Sequence, residues 1–207
     1  MSGGVSKQKD QGPDRATVAR WTAQILSGDF STIEAAFDRN GLRGPEVIWS
    51  PKPGEMITPQ LEFLLQYWLG LAEGPKPPRM TLIDPIEMRP ALGYVVLVDI
   101  VEEGNDLRYR LYGSGIAAIT GFDLTGQSVY AHPSLPSTVE FFLATYEAVR
   151  LRQTPLYSAY GPRTSKVMAR TWQRLTLPLL GENGEVCRFL VGTLPVNRTG
   201  TVISKRL

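Results

Sequence analysis

Apolar residues spaced three and four apart predict four helices. In the clearest of them Thr58 and Pro59 begin the helix, and the apolar positions that follow are Leu61, Leu64, Leu65, Trp68 and Leu71. A second, over 134–152, has an apolar stripe formed by Leu135, Val139, Phe142, Tyr146 and Val149. Near the N-terminus, Val18, Trp21 and Ile25 share one helical face, and a short helix after Gly28 carries Ile33 and Phe37.

Runs of β-branched and other apolar residues predict five strands, at 94–101, 107–111, 155–160, 167–180 and 186–196. Turn residues at 103–106 and 181–184 join neighbouring strands as hairpins. Small helices and then the long helix lie between the second and third strands. This order predicts an α+β fold, in which a five-stranded antiparallel sheet has helices on one face and an N-terminal helical extension.

The segment 109–126 predicts an arch over the sheet. A strand ends at Gly113 and Gly115, a short helix follows, and a second glycine-bounded segment, 121–126, comes directly after it. A chain that turns this quickly leaves an enclosed apolar space beneath it. Such a space is more typical of binding than of catalysis.

Composition changes along the chain predict its boundaries. Residues 1–14 are polar and predict a disordered tail, and 15–57 predict a helical extension followed by an irregular connector at 44–54. The amphipathic helix and its proline-rich end occupy 58–79, the core domain 80–198, and a C-terminal tail 199–207.

Charge and composition narrow the classes of partner and site. Lys and Arg number 22 against 20 Asp and Glu, and a net charge of +2 predicts neither a nucleic-acid nor a membrane partner. The absence of a signal peptide or long apolar run predicts a cytoplasmic protein. The one cysteine and one histidine, Cys187 and His132, are too few for a typical metal site, and no cofactor is predicted.

Several ordered segments resemble a PAS domain, and more narrowly the standalone PAS-like proteins common in alphaproteobacteria. They are Trp68 with Pro78-Arg79 and 83–85, then 108–111 with Gly113, then 121–126, and finally 175–179 before a glycine turn. The resemblance covers 58–197. It implies a sensory or interaction module around a pocket, with helical flanks that relay its state or form a homodimer, and an unidentified signalling protein as partner.

The apolar face of the sheet and the helices above it predict a cavity for a small apolar or aromatic ligand. Its predicted lining is Tyr109, Leu111, Ile116, Ile119, Phe122, Phe142, Tyr146, Leu175 and Leu177. The hydroxyls of Tyr109 and Tyr146 would orient the ligand. The alternative is a core that these large side chains fill completely.

Arg170, Trp172 and Arg174 lie at alternate positions on one face of a predicted strand, and Leu175, Leu177 and Leu179 follow at positions of the opposite parity. They would either clamp an anionic or aromatic ligand or lie on a solvated sheet face. Because the leucines of opposite parity make the better core face, the pattern favours an outward face and an interface. Trp21 and Trp68 lie on helix faces outside the sheet, so they either fold back onto the domain or join that interface.

Two residues resemble parts of known cofactor sites. Val186-Cys187-Arg188-Phe189-Leu190 is similar to the Asn-Cys-Arg-Phe-Leu motif of flavin-binding photosensory PAS proteins, but its position on a late strand favours a small buried cysteine. His132 is the sole candidate for an axial haem ligand, and its place before the long helix favours a solvated or capping residue.

Three functions are consistent with the sequence. The first is a non-catalytic sensory module that binds a small molecule or a protein and relays its state through flanking helices. The second is a filled-core protein interaction domain. The third is an enzyme that uses the cavity, which would require a pair of polar residues deep in the pocket.

Overall fold

A six-stranded antiparallel sheet lies at the centre of the computed structural model, which describes residues 12–56, 58–101, 106–163, 170–197 and 199–203. The strands are β1 Leu42–Trp49, β2 Val95–Val101, β3 Asp106–Tyr112, β4 Leu156–Pro162, β5 Thr171–Leu180 and β6 Val186–Val196. Their order across the sheet is β1-β4-β5-β6-β2-β3. The predicted α+β class is confirmed, with six strands in place of five.

Strand β1 is the addition, and it lies where an irregular connector was predicted. It pairs antiparallel with β4 from Leu42↔Pro162 to Trp49↔Leu156. The register shifts between Arg43 and Glu46, the interval that contains Pro45. Proline has no N–H for the ladder and is confined to edge strands and bulges, and β1 is both an edge strand and irregular at this point. The connector prediction was therefore wrong for 44–49, while 50–54 contain no helix or strand.

Five helices flank the sheet: α1 Arg15–Ser27, α2 Ser31–Arg39, α3 Pro59–Leu71, α4 Ser114–Thr120 and α5 Pro136–Arg152. Helix α1 begins at Asp14, whose carboxylate accepts the backbone N–H groups of Ala16 and Thr17, and it ends at Gly28 with a φ of 80°. Asp14 is thus ordered, while 1–11 of the predicted disordered tail lie outside the described residues. None of the helices in the described ranges has the length and apolar character needed to span a bilayer.

The helices cover both faces of the sheet. Helices α1, α2, α4 and α5 pack on one face, here called the cavity face, around a first apolar cluster that includes Phe37 and Phe141. Helix α3 departs from the prediction that helices lie on one face. Its Leu61 and Leu64 pack on the opposite face, and Gly192 of β6 allows this approach because a Cβ there would lie 2.5 Å from Leu61 Cδ2.

Two of the three tryptophans assigned to the predicted interface are buried inside the monomer. Trp21 is 2% exposed, and its indole N–H donates to Thr32 Oγ1 at 3.1 Å. Trp68 is 4% exposed and donates to the Pro178 carbonyl at 2.9 Å. The assignment of Trp21 and Trp68 to an interface was therefore wrong, because the chain's own fold covers them.

The predicted arch is present between β3 and α4. Gly113 separates the two elements with a φ of −57°, so the position does not need a left-handed backbone. Glycine is needed here for steric reasons, because a Cβ at Gly113 would lie 2.4 Å from the Gly93 carbonyl oxygen. The short 3₁₀ helix Leu92–Tyr94, which precedes β2, is thereby held against the start of α4.

The chain after β6 folds back on that strand. Val202 forms an isolated bridge with Val196, and the Ile203 N–H donates to the Pro195 carbonyl at 2.9 Å. This part of the predicted C-terminal tail is ordered, and 204–207 lie outside the described residues.

Candidate ligand-binding cavity

A cavity of about 700 Å³ lies between the cavity face of the sheet and helices α4 and α5. Its volume is in the range of small-molecule sites. Aromatic rings dominate its walls, with Tyr112, Tyr160 and Trp172 joining the aromatic residues predicted from the sequence. Arg170 and Arg174 also line it, and no Asp or Glu is among the described residues on its walls.

The structure separates the predicted lining residues into two groups. Tyr109, Ile116, Phe122, Phe142 and Tyr146 line the cavity, and their part in binding a ligand remains a prediction. The others do not line it: Leu111, Leu175 and Leu177 belong to the cluster under α3, and Ile119 is buried on α4 away from the cavity wall.

The assignment of faces on β5 was inverted. Leu175 and Leu177 do face a core, but it is the core beneath α3. Residues of the other parity, Trp172 and Arg174, therefore face the cavity, as does Arg170 just before the strand. Arg174 is only 7% exposed, so its assignment to an interface was wrong, whereas Arg170 and Trp172 are half-buried on the cavity wall and their part in an interface remains a prediction.

Arg174 lies at the centre of the sheet. It is in register with Ser158 of β4 and Thr193 of β6, so a row of polar residues crosses three strands. Its Nη2 donates to Tyr146 Oη at 2.6 Å. Its guanidinium carbon lies 3.9 Å from the centroid of the Phe142 ring and 5.6 Å from that of Tyr146. Helix α5, which carries both rings, thus contacts the sheet through Arg174.

The positive charge of Arg174 has no counter-ion among the described residues. The ion pairs found there join Arg108 to Asp106, Arg150 to Glu147, Arg163 to Asp38 and Arg188 to Asp99. Burial raises the pKa of Tyr109, Tyr146 and Tyr160, and that of Tyr112 to about 12, so these phenols are neutral at pH 7.

The rings around Arg174 offset only part of the cost of its burial. A desolvated cation–π contact stabilises by about 2 kcal/mol, whereas taking an ion out of water costs several kcal/mol. Arginine does not relieve the cost by losing its proton, because the guanidinium stays protonated in proteins. The cavity wall therefore carries one buried, uncompensated positive charge.

His132 lines the cavity, although it was predicted to be solvated or capping. Its ring centroid lies 5.5 Å from that of Phe142 and 5.7 Å from that of Phe122. Burial, with a smaller effect of the Arg174 charge, lowers its pKa to about 4, so the imidazole is neutral at pH 7. The backbone N–H of Ser134 donates to Nδ1 at 3.2 Å, which leaves the hydrogen on Nε2.

A sequence signal for this site was present in the three central strands. Ser158 and Thr193 interrupt largely apolar runs, and Arg174 follows Gln173 in the first half of β5, before its leucines. Read together in antiparallel register, these residues indicate a polar row on a buried face. His132 has no comparable signal, because only the fold of 121–135 brings it to the aromatic rings.

Cys187 is not a cavity residue. It is half-buried near the start of β6, and its Sγ lies 3.4 Å from Met80 Sδ. Burial raises the pKa of its thiol, which keeps the group protonated. Cys187 thus lies on a late strand, away from the cavity lining, and not on a helix where it could face a flavin. No group of three or more His, Cys, Asp or Glu in the described ranges is arranged to hold a metal.

Comparison with known proteins gives one family and one distant structure. No curated protein matches the chain significantly. A solved structure of an RNA-binding light-oxygen-voltage receptor aligns at 12% identity and a TM-score of 0.41, covering 89% of this chain and 54% of the receptor chain, which is too distant to support conclusions about function. The PAS domain family model matches residues 56–194, more than half of the chain. The chain therefore belongs to the PAS domain family.

Proposed function

We propose that this protein is a non-catalytic sensory PAS module that binds a small molecule in the cavity and relays its state through α5 and α1. One observation supports this proposal above the others. The cavity has about 700 Å³ of free space, aromatic walls and a buried cation, whereas the alternative of a filled interaction core would leave no such space.

The contacts of Tyr146 support a route from the cavity to the N-terminal helices. Tyr146 accepts a hydrogen bond from Arg174 in the cavity, and it also lines a second space of about 430 Å³ that α1 helps to enclose. Helix α1 packs along α5, and Thr22 Oγ1 donates to the Ala144 carbonyl at 3.4 Å. A ligand that moves Arg174 would change the packing of α5 and, through it, of α1.

The chemistry of the walls favours binding over catalysis. An enzyme would need a general acid or base with a pKa near the working pH. His132, with its pKa lowered to about 4, is a weak base, and the phenols around it keep their protons. The polar pair on the wall, Arg174 and Tyr146, consists of a guanidinium cation and a neutral phenol, and neither accepts a proton readily at pH 7.

The remaining features of the proposal come from the sequence and the family. We retain a homodimer, an unidentified signalling protein as partner and a cytoplasmic location as proposals, with no nucleic-acid or membrane partner. Of the predicted interface residues, Trp21, Trp68 and Arg174 are buried in the monomer, so a dimer surface would have to use Arg170, Trp172 or other exposed residues. Sedimentation equilibrium of the full chain, with and without a cavity ligand, measures both the dimer and its coupling to the cavity.

Native mass spectrometry of the protein purified from its own host tests the central proposal. We expect a complex whose excess mass is released on denaturation as one compound at a stoichiometric amount. A protein that carries nothing and binds no small molecule added to it would contradict the proposal. It would favour the filled-core interaction domain in its place.

A further inference from the structure

We infer that the ligand of this cavity is an aromatic monocarboxylate, whose carboxylate pairs with Arg174 and whose ring system lies among the aromatic walls. This inference rests on the proposed function and specifies its ligand. It follows from three features of the cavity: its unpaired charge, its unused hydrogen-bond donors and the character of its walls.

The unpaired charge calls for an anion. Arg174 is 7% exposed and has no carboxylate partner in the part of the chain that the structure describes. A buried charge is ordinarily paired, and a guanidinium binds a carboxylate through two parallel hydrogen bonds. Because Arg174 lines the cavity, a bound ligand can reach it.

Unused donors lie beside that charge. Tyr146 Oη accepts from Arg174, and no described group accepts its own hydrogen. Ser158 is 1% exposed, is in register with Arg174 on the same face of the sheet, and its Oγ has no hydrogen-bond partner, but it lies behind the residues that line the cavity, so Tyr146 is the donor within a ligand's reach. A buried polar group without a partner is costly, and a carboxylate at Arg174 can accept from Tyr146 as well.

The residues that line the cavity favour a ligand with one negative charge and an aromatic ring system. Arg174 supplies the one deeply buried positive charge among the described wall residues, and a single carboxylate neutralises it, whereas the half-buried Arg170 keeps contact with solvent and does not require a second negative charge. Around it, Tyr109, Phe122, Phe142 and Tyr160 offer faces and edges for stacking with rings. Arg170 is half-buried at the end of the cavity near Leu42 and Pro162, so a polar group at the far end of the ligand has a second contact.

The test compares acids with their neutral amides. We would titrate the full-length protein by calorimetry with benzoate, 2-naphthoate and decanoate, and with the primary amide of each. The amide has nearly the same shape and lacks the charge. We expect at least one aromatic acid to bind at least tenfold more tightly than its amide, and more tightly than decanoate.

Three variants locate the effect. Arg174→Gln removes the charge and keeps a donor for Tyr146, and we expect it to lose the preference for acid over amide. Arg110→Gln makes the same chemical change at an exposed position on β3 and should behave as the wild type does. Arg174→Lys keeps the charge without the fork and should retain part of the preference. Without ligand, the melting temperature of Arg174→Gln should be equal to or higher than that of the wild type.

The outcomes separate this inference from the proposed function. If an amide binds as tightly as its acid, or if Arg174→Gln keeps the preference, the carboxylate inference is overturned while small-molecule binding stands. Tighter binding of decanoate would overturn the aromatic part. If Arg174→Gln fails to fold, comparing the wild-type affinities for each acid and its amide still tests the carboxylate inference. If no probe binds, the compound released from the host-purified protein tests the inference. A neutral or cationic compound would overturn the carboxylate inference. A protein that carries no compound would contradict both proposals.

Discussion

At the scale of single residues, the buried neutral His132 makes stability depend on pH. The folded protein holds the pKa of this group near 4, against about 6.5 when the chain is unfolded. Below pH 6.5 the unfolded chain therefore binds a proton that the folded chain does not, and stability falls as the pH is lowered. The loss between pH 7 and pH 5 should be about 2 kcal/mol.

Urea unfolding of the wild type and of His132→Asn across this pH range measures the effect. Asparagine keeps an acceptor for the Ser134 N–H and does not titrate. Since His132 is the only histidine, the variant should show little change between pH 7 and pH 5. The carboxylates with lowered pKa, such as Asp14 and Asp123, act at lower pH. Equal slopes for the two proteins would contradict the burial of a neutral imidazole.

Strand β5 shows how far the sequence predicts the direction in which each side chain points. The sequence correctly predicted that Leu175 and Leu177 are buried and that Arg174 points the other way. It did not show that both faces of the strand are covered, because charged residues on one parity and leucines on the other are typical of a sheet with one solvent-exposed face. Only the packing of α3 on the far side turns the arginine face inward.

At the scale of elements, the close approach of 92–94 to the start of α4 gives Gly113 its role. We expect Gly113→Ala to lower the free energy of unfolding by about 3 kcal/mol, because the added Cβ meets backbone atoms that do not move aside easily. The matched control is Gly70→Ala in α3, where a Cβ meets nothing within 4 Å. That change should be neutral or stabilise by up to about 1 kcal/mol.

Denaturant unfolding of the two alanine variants gives this comparison directly. A Gly113→Ala protein as stable as the wild type would mean that β3 and α4 do not meet the Gly93 backbone as described.

The elements themselves differ in how well the sequence predicts them. Strand β6 was predicted over 186–196 and occupies Val186–Val196, because a turn and a β-branched run define its start. Strand β1 was missed because Gly44 and Pro45 interrupt its pattern and because an edge strand has one neighbour to constrain it. Local signals therefore located the hairpins, while pairing between distant segments, such as β1 with β4, left little trace.

At the scale of the whole molecule, the N-terminal segment is part of the fold. Residues of α1 and α2, such as Ile25 and Phe37, are fully buried in the cluster on the cavity face, and β1 covers the edge of β4. Removal of residues 1–53 would expose that cluster and that edge together. We therefore expect the truncated chain to aggregate or to unfold without cooperativity, as followed by circular dichroism on heating.

A milder change in the full chain checks the same packing. Phe37→Ala removes an edge-to-face contact with Phe141, whose ring centroid lies 5.5 Å away, and should cost about 3–5 kcal/mol. A truncated protein that unfolds cooperatively and still binds a cavity ligand would show that residues 54–207 form an independent domain.

The position of β1 has a further consequence for how the cavity varies among related proteins. Leu42, the first residue of β1, lines the cavity, yet it precedes residue 56, where the family match begins. The family region therefore supplies most of the cavity lining, and the preceding segment supplies Leu42. Substitutions in that segment can change which molecules fit while the inherited domain stays the same, so selectivity and scaffold can evolve separately.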